Sequence, residues 1–131
     1  MSPLTHCYFD YYQTKNTNYE PSVTGMWPID VEKVYSFEPA PDSIPAAARE
    51  HIIGVQGNLW AEHVINFDVV QYQVLPRMSA LAEVQWSAPE QKDFELFKER
   101  VTRFTAFYDR HGWKYALHLW PERIPQDRWH F

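Results

Sequence analysis

Ile52-Ile53-Gly54-Val55-Gln56-Gly57-Asn58-Leu59-Trp60-Ala61-Glu62 is the stretch on which the reading of this chain turns. Ile52, Ile53 and Val55 are β-branched and apolar with no intervening charge, which predicts a short strand buried on both faces, as in a parallel sheet beneath helices. Gly54 and Gly57 let the backbone bend or approach another group closely. The strand end then delivers an indole and a carboxylate together. Trp60 and Glu62 lie two apart, so in extended backbone both side chains point to the same side. A sugar ring takes that combination, since its C–H face stacks on an aromatic wall while its hydroxyls seek carboxylates. The plainer alternative is a core tryptophan beside a surface glutamate.

The same spacing occurs earlier. Leu4 to Gln13 has strand-like content and turns polar at Lys15-Asn16-Thr17-Asn18, and it carries Tyr8 and Asp10 two apart. Alone, these would be a half-buried tyrosine and a turn aspartate. Two strand ends with like-spaced aromatic and acidic groups point instead to one shared pocket, as where loops follow the parallel strands of a barrel.

Between and beyond these segments the chain alternates loop and helix. From Asn18 to Ala48, Pro21, Gly25, Pro28, Pro39, Pro41 and Pro45 prevent any long element, apart from a short helix at Val31-Glu32-Lys33-Val34-Tyr35 capped by Asp30. Asn66 or Asp68 can cap a helix through Val69, Tyr72, Leu75, Leu81, Ala82 and Trp86, with Pro76 either kinking it or starting a second one. Glu83, within that apolar run, needs a partner if buried. Ser87-Ala88-Pro89-Glu90 has the form of a capping box. It precedes a stripe of Phe94, Phe97, Val101, Phe104 and Phe107 or Tyr108 that predicts a long helix ended by Gly112. Trp113 to Trp120 reads as a last extended piece and Pro121 to Phe131 as an irregular tail.

Composition narrows the function. The 131 residues are enough for one domain, 45% are hydrophobic, and 6 Trp, 8 Tyr and 8 Phe fit a binding surface as well as a core. A formal net charge of −5 gives no footprint for nucleic acid or anionic lipid. The lone cysteine, Cys7, has no disulfide partner and reads as a small buried apolar residue. His6, His51, His63, His111, His118 and His130 show no metal-binding spacing, so neither a metal nor another cofactor is expected. No apolar run approaches the roughly 18 residues of a membrane span. Met1-Ser2-Pro3 leads at once into sequence typical of a domain's middle, so a fragment of a longer chain is expected.

Several stretches together carry a family likeness. Tyr8-Phe9-Asp10-Tyr11-Tyr12-Gln13, Val34-Tyr35-Ser36-Phe37-Glu38-Pro39, Gly54 to Glu62, Leu75-Pro76-Arg77-Met78 and Ala80-Leu81-Ala82-Glu83-Val84-Gln85-Trp86-Ser87 resemble, in that order, the C-terminal part of the family-20 glycoside hydrolases, the β-N-acetylhexosaminidases. The resemblance spans nearly the whole chain, thinnest around Ser43 and in the last ten residues. It implies an α/β fold, the C-terminal portion of a (β/α)8 TIM barrel. The last two strands would end at Tyr8 and near Trp60, with Phe94 to His111 as the final helix. Residues 1–131 would then be one C-terminal fragment of a catalytic domain and an incomplete barrel.

The resemblance also implies a chemistry. In that family the substrate's own 2-acetamido carbonyl attacks the anomeric carbon and forms an oxazoline, with retention of configuration, in place of a protein nucleophile. The substrates are terminal β-linked N-acetylglucosamine and N-acetylgalactosamine. Tyr8 would be the catalytic residue, donating its hydroxyl to the acetamido carbonyl oxygen. Trp60 would wall the sugar pocket, and Asp10 and Glu62 would bind O4 and O6. The family's consecutive Asp-Glu pair, which orients the acetamide and supplies the general acid, has no counterpart here, because the sequence contains no Asp-Glu dipeptide. The family's sugar-gripping Arg from an early strand is absent too. General acid catalysis is worth about 10²–10⁴-fold, so the chain alone is expected to be inactive. Parents of this kind act in a periplasm, in a lysosome or outside the cell.

Two rivals stand beside this reading. A non-catalytic carbohydrate-binding module would use the same residues on a β-sandwich. A conventional retaining glycosidase would use Asp10 and Glu62 as nucleophile and acid, with carboxyls about 5–5.5 Å apart. Strands without neighbours also leave open edges and uncovered apolar surface, so self-association is expected.

Overall fold

Side-chain caps and three prolines, Pro3, Pro45 and Pro76, mark where this chain turns helical. The computed structural model describes residues 1–23 and 27–125. Six α-helices form among them: α1 (Leu4–Cys7), α2 (Val31–Tyr35), α3 (Ala46–Arg49), α4 (Phe67–Val74), α5 (Arg77–Trp86) and α6 (Phe94–Arg110). Asp30 caps α2 by accepting the Lys33 N–H at 2.7 Å, and Asn66 caps α4 by accepting the Val69 N–H at 3.0 Å. Pro76 stands at the N-terminus of α5 and separates it from α4, the second of the two arrangements its sequence allows. Gly112, at φ +66°, ends α6 in a left-handed turn. The Gly112 N–H reaches Asp109 O at 3.1 Å and the Trp113 N–H reaches Tyr108 O at 3.0 Å, satisfying carbonyls that the helix end leaves free.

The expected α/β architecture is reduced to one contact. No β-strand forms among the described residues, which are mostly helix and loop, and a single parallel bridge joins Tyr8 to Asn58. The segment before Tyr8 is the helical turn α1 rather than a strand. Ile52 to Val55 is not a buried strand either, since Ile53 is 100% exposed and Ile52 and Val55 are only half-buried. The physical reason is that an extended segment apolar on both faces needs neighbours on both sides. Here no strand flanks it among the described residues, and its long-range backbone bonds run to the chain start, with the Met1 ammonium on Gly54 O at 2.7 Å and the Gln56 N–H on Met1 O at 3.0 Å.

The core lies between α2, α5 and α6 and takes in Cys7, Phe9 and Ile29 from the connections. Tyr35 stacks on Phe97 at 4.8 Å between ring centroids, and its hydroxyl donates to Glu83. Arg100 also pairs with Glu83, so the acidic residue within the apolar run has its partners. The start of α6 falls later than its capping-box form predicts. Pro89–Gln91 is a 3-10 turn, and Asp93 is the cap, accepting the Leu96 N–H at 2.9 Å. On α6, Phe97, Val101, Thr105 and Tyr108 are buried, whereas Phe104 and Phe107 are 50% and 40% exposed.

Trp113 to Trp120 forms no strand, yet Tyr115, Ala116, Leu117 and Trp120 are buried, with the Ala116 N–H held by Leu75 O at 3.0 Å. Cys7 is fully buried, and that burial pushes its thiol up to about 11. Pro121–Arg123 is a 3-10 turn, and the tail beyond residue 125, with His130, lies outside the described residues, as does Gly25.

Candidate carbohydrate site

The bridge at Tyr8 and Asn58 is what assembles the site. The Asn58 N–H donates to Cys7 O at 2.7 Å and the Phe9 N–H donates to Asn58 O at 2.6 Å, a parallel register that carries Asp10 alongside Trp60. Gly57 permits the approach. A Cβ built there would stand 2.7 Å from Phe9 Cε2 and 3.0 Å from its Cζ, so only glycine fits against that ring.

Asp10 and Trp60 line one small cleft together with Leu59, His63, Val69 and Gln73, with open space of about 10 Å3, roughly one water. Asp10 is 6% exposed, and its Oδ1 has no hydrogen-bond partner. Burial raises the Asp10 carboxyl above its ordinary value, helped by the Glu62 charge and opposed by its own backbone N–H and by Arg77. Trp60 is 53% exposed and offers its indole to solvent. Glu62 is exposed outside the cleft but near enough for its charge to act on Asp10.

Tyr8 is half-buried and stands one residue pair back from the cleft, its ring edge-on to Tyr11 at 6.3 Å. Tyr11 in turn packs on Trp27 at 5.3 Å. The structure thus joins Asp10 and Trp60 directly, Glu62 through its field, and Tyr8 through the bridge.

Behind the cleft sits a residue of the Leu75-Pro76-Arg77-Met78 stretch to which the resemblance assigns no role. Arg77 is fully buried and donates to four backbone carbonyls: Nη2 to Phe9 and Gln73, Nη1 to Tyr11 at 3.1 Å and to Ile29 at 3.0 Å. Burial pushes its guanidinium down to about 9, against the pull of Glu20, Tyr72, Asp10 and Asp30. The available signal was Gln73 and Arg77 four apart on a run otherwise headed into the core. A larger cavity, of about 540 Å3, lies elsewhere, lined by Gln13, Lys15, Asp30, Glu32, Lys98 and His118. It mixes both signs of charge and contains none of the paired aromatic and acidic residues. No group of three or more His, Cys, Asp or Glu among the described residues is placed to hold a metal ion. Nor is any helix among them long and apolar enough to cross a membrane.

Comparison with known proteins places this arrangement. The glycosyl hydrolase family 20 catalytic domain matches residues 1–89. A β-hexosaminidase of Porphyromonas gingivalis is 35% identical over 116 residues, covering 88% of this chain and 14% of that protein. The family-20 β-N-acetylhexosaminidase of Streptomyces coelicolor superposes with a TM-score of 0.75 at 27% identity, over 98% of this chain and 24% of its own. A Vibrio harveyi family-20 exo-β-N-acetylglucosaminidase, solved in complex with N-acetylglucosamine, gives a TM-score of 0.75 at 28% identity, covering 91% of this chain and 18% of that one. The chain belongs to glycosyl hydrolase family 20. It spans less than a quarter of the length of these relatives.

Proposed function

We propose that this chain forms the side of a β-N-acetylhexosaminidase site that grips the terminal sugar, within a protein that removes terminal β-linked N-acetylglucosamine or N-acetylgalactosamine. The observation that carries this is the buried, unpartnered Oδ1 of Asp10 beside the exposed face of Trp60. A pyranose hydroxyl is the donor such an oxygen lacks, and an indole is the wall such a ring stacks on. Glu62 holds a second outer hydroxyl at the rim. Tyr8, on the bridge, donates to the acetamido carbonyl oxygen and holds it in line for attack on the anomeric carbon, which removes rotational freedom from an internal nucleophile. That attack breaks the glycosidic bond, the aglycone oxygen leaving with a proton from an acid that this chain does not carry, and gives an oxazoline that water opens with retention.

The same reading makes residues 1–131 the C-terminal portion of a TIM barrel, with the Tyr8–Asn58 bridge as the trace of its last two strands. It leaves the chain without a general acid, so it does not hydrolyse N-acetylglucosaminides alone. Asp10, being buried, suits holding a hydroxyl better than attacking a sugar carbon. The β-sandwich module is set aside because the described residues are helical. The test is a chromogenic N-acetylglucosaminide assay of the purified chain. No turnover above blank is expected. Turnover that disappears in Tyr8→Phe would contradict the account of the missing acid.

A further inference from the structure

Asp10 lies in the turn that follows the bridge, and a short turn holds a carboxylate in place only if its own peptide groups are fixed. Arg77 holds the chain on both sides of it. Its Nη2 donates to the carbonyl of Phe9, in the peptide that leads into Asp10, and its Nη1 to that of Tyr11 at 3.1 Å, one peptide beyond Asp10's own carbonyl. The remaining bonds tie the same fork to Ile29 O at 3.0 Å, to Gln73 O at 3.0 Å through Nε and to Gln73 Oε1 at 2.9 Å. The guanidinium carbon stands 4.9 Å from the centroid of the Phe9 ring, the ring against which Gly57 closes.

Every acceptor in this set is neutral. A buried guanidinium is normally matched to a carboxylate, because stranding its charge is costly. Here its donors are spent on peptide oxygens, while the nearby Asp10 Oδ1 is left bare. That division makes sense where the carboxylate has to stay free for a ligand and still be held within a fraction of an ångström.

We propose that Arg77 is the positioning residue for Asp10, clamping the carbonyls of the residues before and after it so that its free oxygen meets a sugar hydroxyl. This rests on reading Asp10 as the sugar-binding carboxylate. Lysine at position 77 keeps the charge but has one nitrogen in place of the planar fork, so it cannot hold both flanking carbonyls together with Gln73.

The test titrates N-acetylglucosamine into the chain and follows the Trp60 indole N–H by NMR, for wild type, Arg77→Lys, Asp10→Asn and the double variant, with circular dichroism confirming that each is folded. Arg77→Lys is expected to weaken binding on the order of tenfold, and to cause almost no further loss once Asp10 is Asn. Unchanged binding in a folded Arg77→Lys, or losses that multiply in the double variant, overturns the proposal. A merely structural arginine gives the second result. If Arg77→Lys does not fold, Phe9→Leu removes the ring beneath the guanidinium. It is expected to weaken binding severalfold in the Asp10 background and not in the Asn background, and no effect in either overturns the proposal. An Asp10→Asn variant that binds as wild type, or a wild type that binds nothing, fails the reading of Asp10 itself and takes the proposal with it.

Discussion

Asp10 keeps an acceptor oxygen buried with no donor on it, an arrangement that costs about 1–3 kcal/mol unless a ligand supplies the hydrogen. Behind it, Gln13 sits between two ionisable groups of opposite sign. Glu20 accepts the Gln13 N–H at 2.9 Å, and burial pushes its carboxyl up to about 7. His118 lies 3.4 Å from Gln13 Oε1, and burial followed by the Arg77 charge pushes it down to about 4. The folded state therefore holds a proton on Glu20 that the unfolded chain releases above about 4.5, and its stabilisation fades as pH rises toward 7. For His118 the contribution is full above 6.5 and fades as pH falls toward 4. Between 4.5 and 6.5 the two slopes oppose, each at most about 1.4 kcal/mol per pH unit. Urea melts across that window are expected to show stability falling with rising pH in His118→Gln and rising with pH in Glu20→Gln. Parallel profiles in the two variants would contradict this.

At the scale of the element, the sequence showed what depends on near neighbours and concealed what depends on distant ones. Asp30 capping α2, Asn66 capping α4 and Gly112 ending α6 follow from residues within a turn of each other; the first and last were legible, and Asn66 was one of two caps the sequence allowed. The start of α6 rests on an equally local cap, Asp93 accepting the Leu96 N–H at 2.9 Å, and was masked by the capping-box form of Ser87-Ala88-Pro89-Glu90 just before it. The two-residue spacing of Tyr8 with Asp10 and of Trp60 with Glu62 pointed to one site, but the strands presumed to carry it needed neighbours that Ile52 to Val55 lacks. The role of Arg77 is hidden in the sequence because its partners are mostly backbone carbonyls at positions 9, 11, 29 and 73, with Gln73, four residues before it, the one local sign. The α6 stripe keeps its expected Phe97, Val101 and Tyr108 and departs from the expected line at one step, where Thr105 is buried in place of Phe104. Phe97→Ala is expected to cost about 3–5 kcal/mol and Phe104→Ala markedly less, because Phe97 is 2% and Phe104 50% exposed. Equal losses in urea melts would contradict the register described.

At the scale of the whole molecule, apolar surface is left without cover. Ile53 is 100% exposed, Trp86 90%, Ile65 73% and Phe67 69%. The neighbours in family 20 extend well beyond the part this chain matches, which covers 24% of the Streptomyces coelicolor enzyme. Surface of this kind drives association, and sedimentation velocity is expected to show dimers or larger species whose share grows with concentration. A monomer at every concentration would contradict this. The proposed sugar site does not depend on that outcome, since the bridge, the cleft and the Arg77 bonds all lie within one chain.

The most direct test of that site is a crystal structure of the chain soaked with N-acetylglucosamine. The expected result is one pyranose stacked on Trp60, a hydroxyl within hydrogen-bond distance of Asp10 Oδ1 and the Tyr8 hydroxyl facing the acetamido group. A saturated crystal in which the face of Trp60 stays bare and Asp10 Oδ1 stays without a donor would contradict the account.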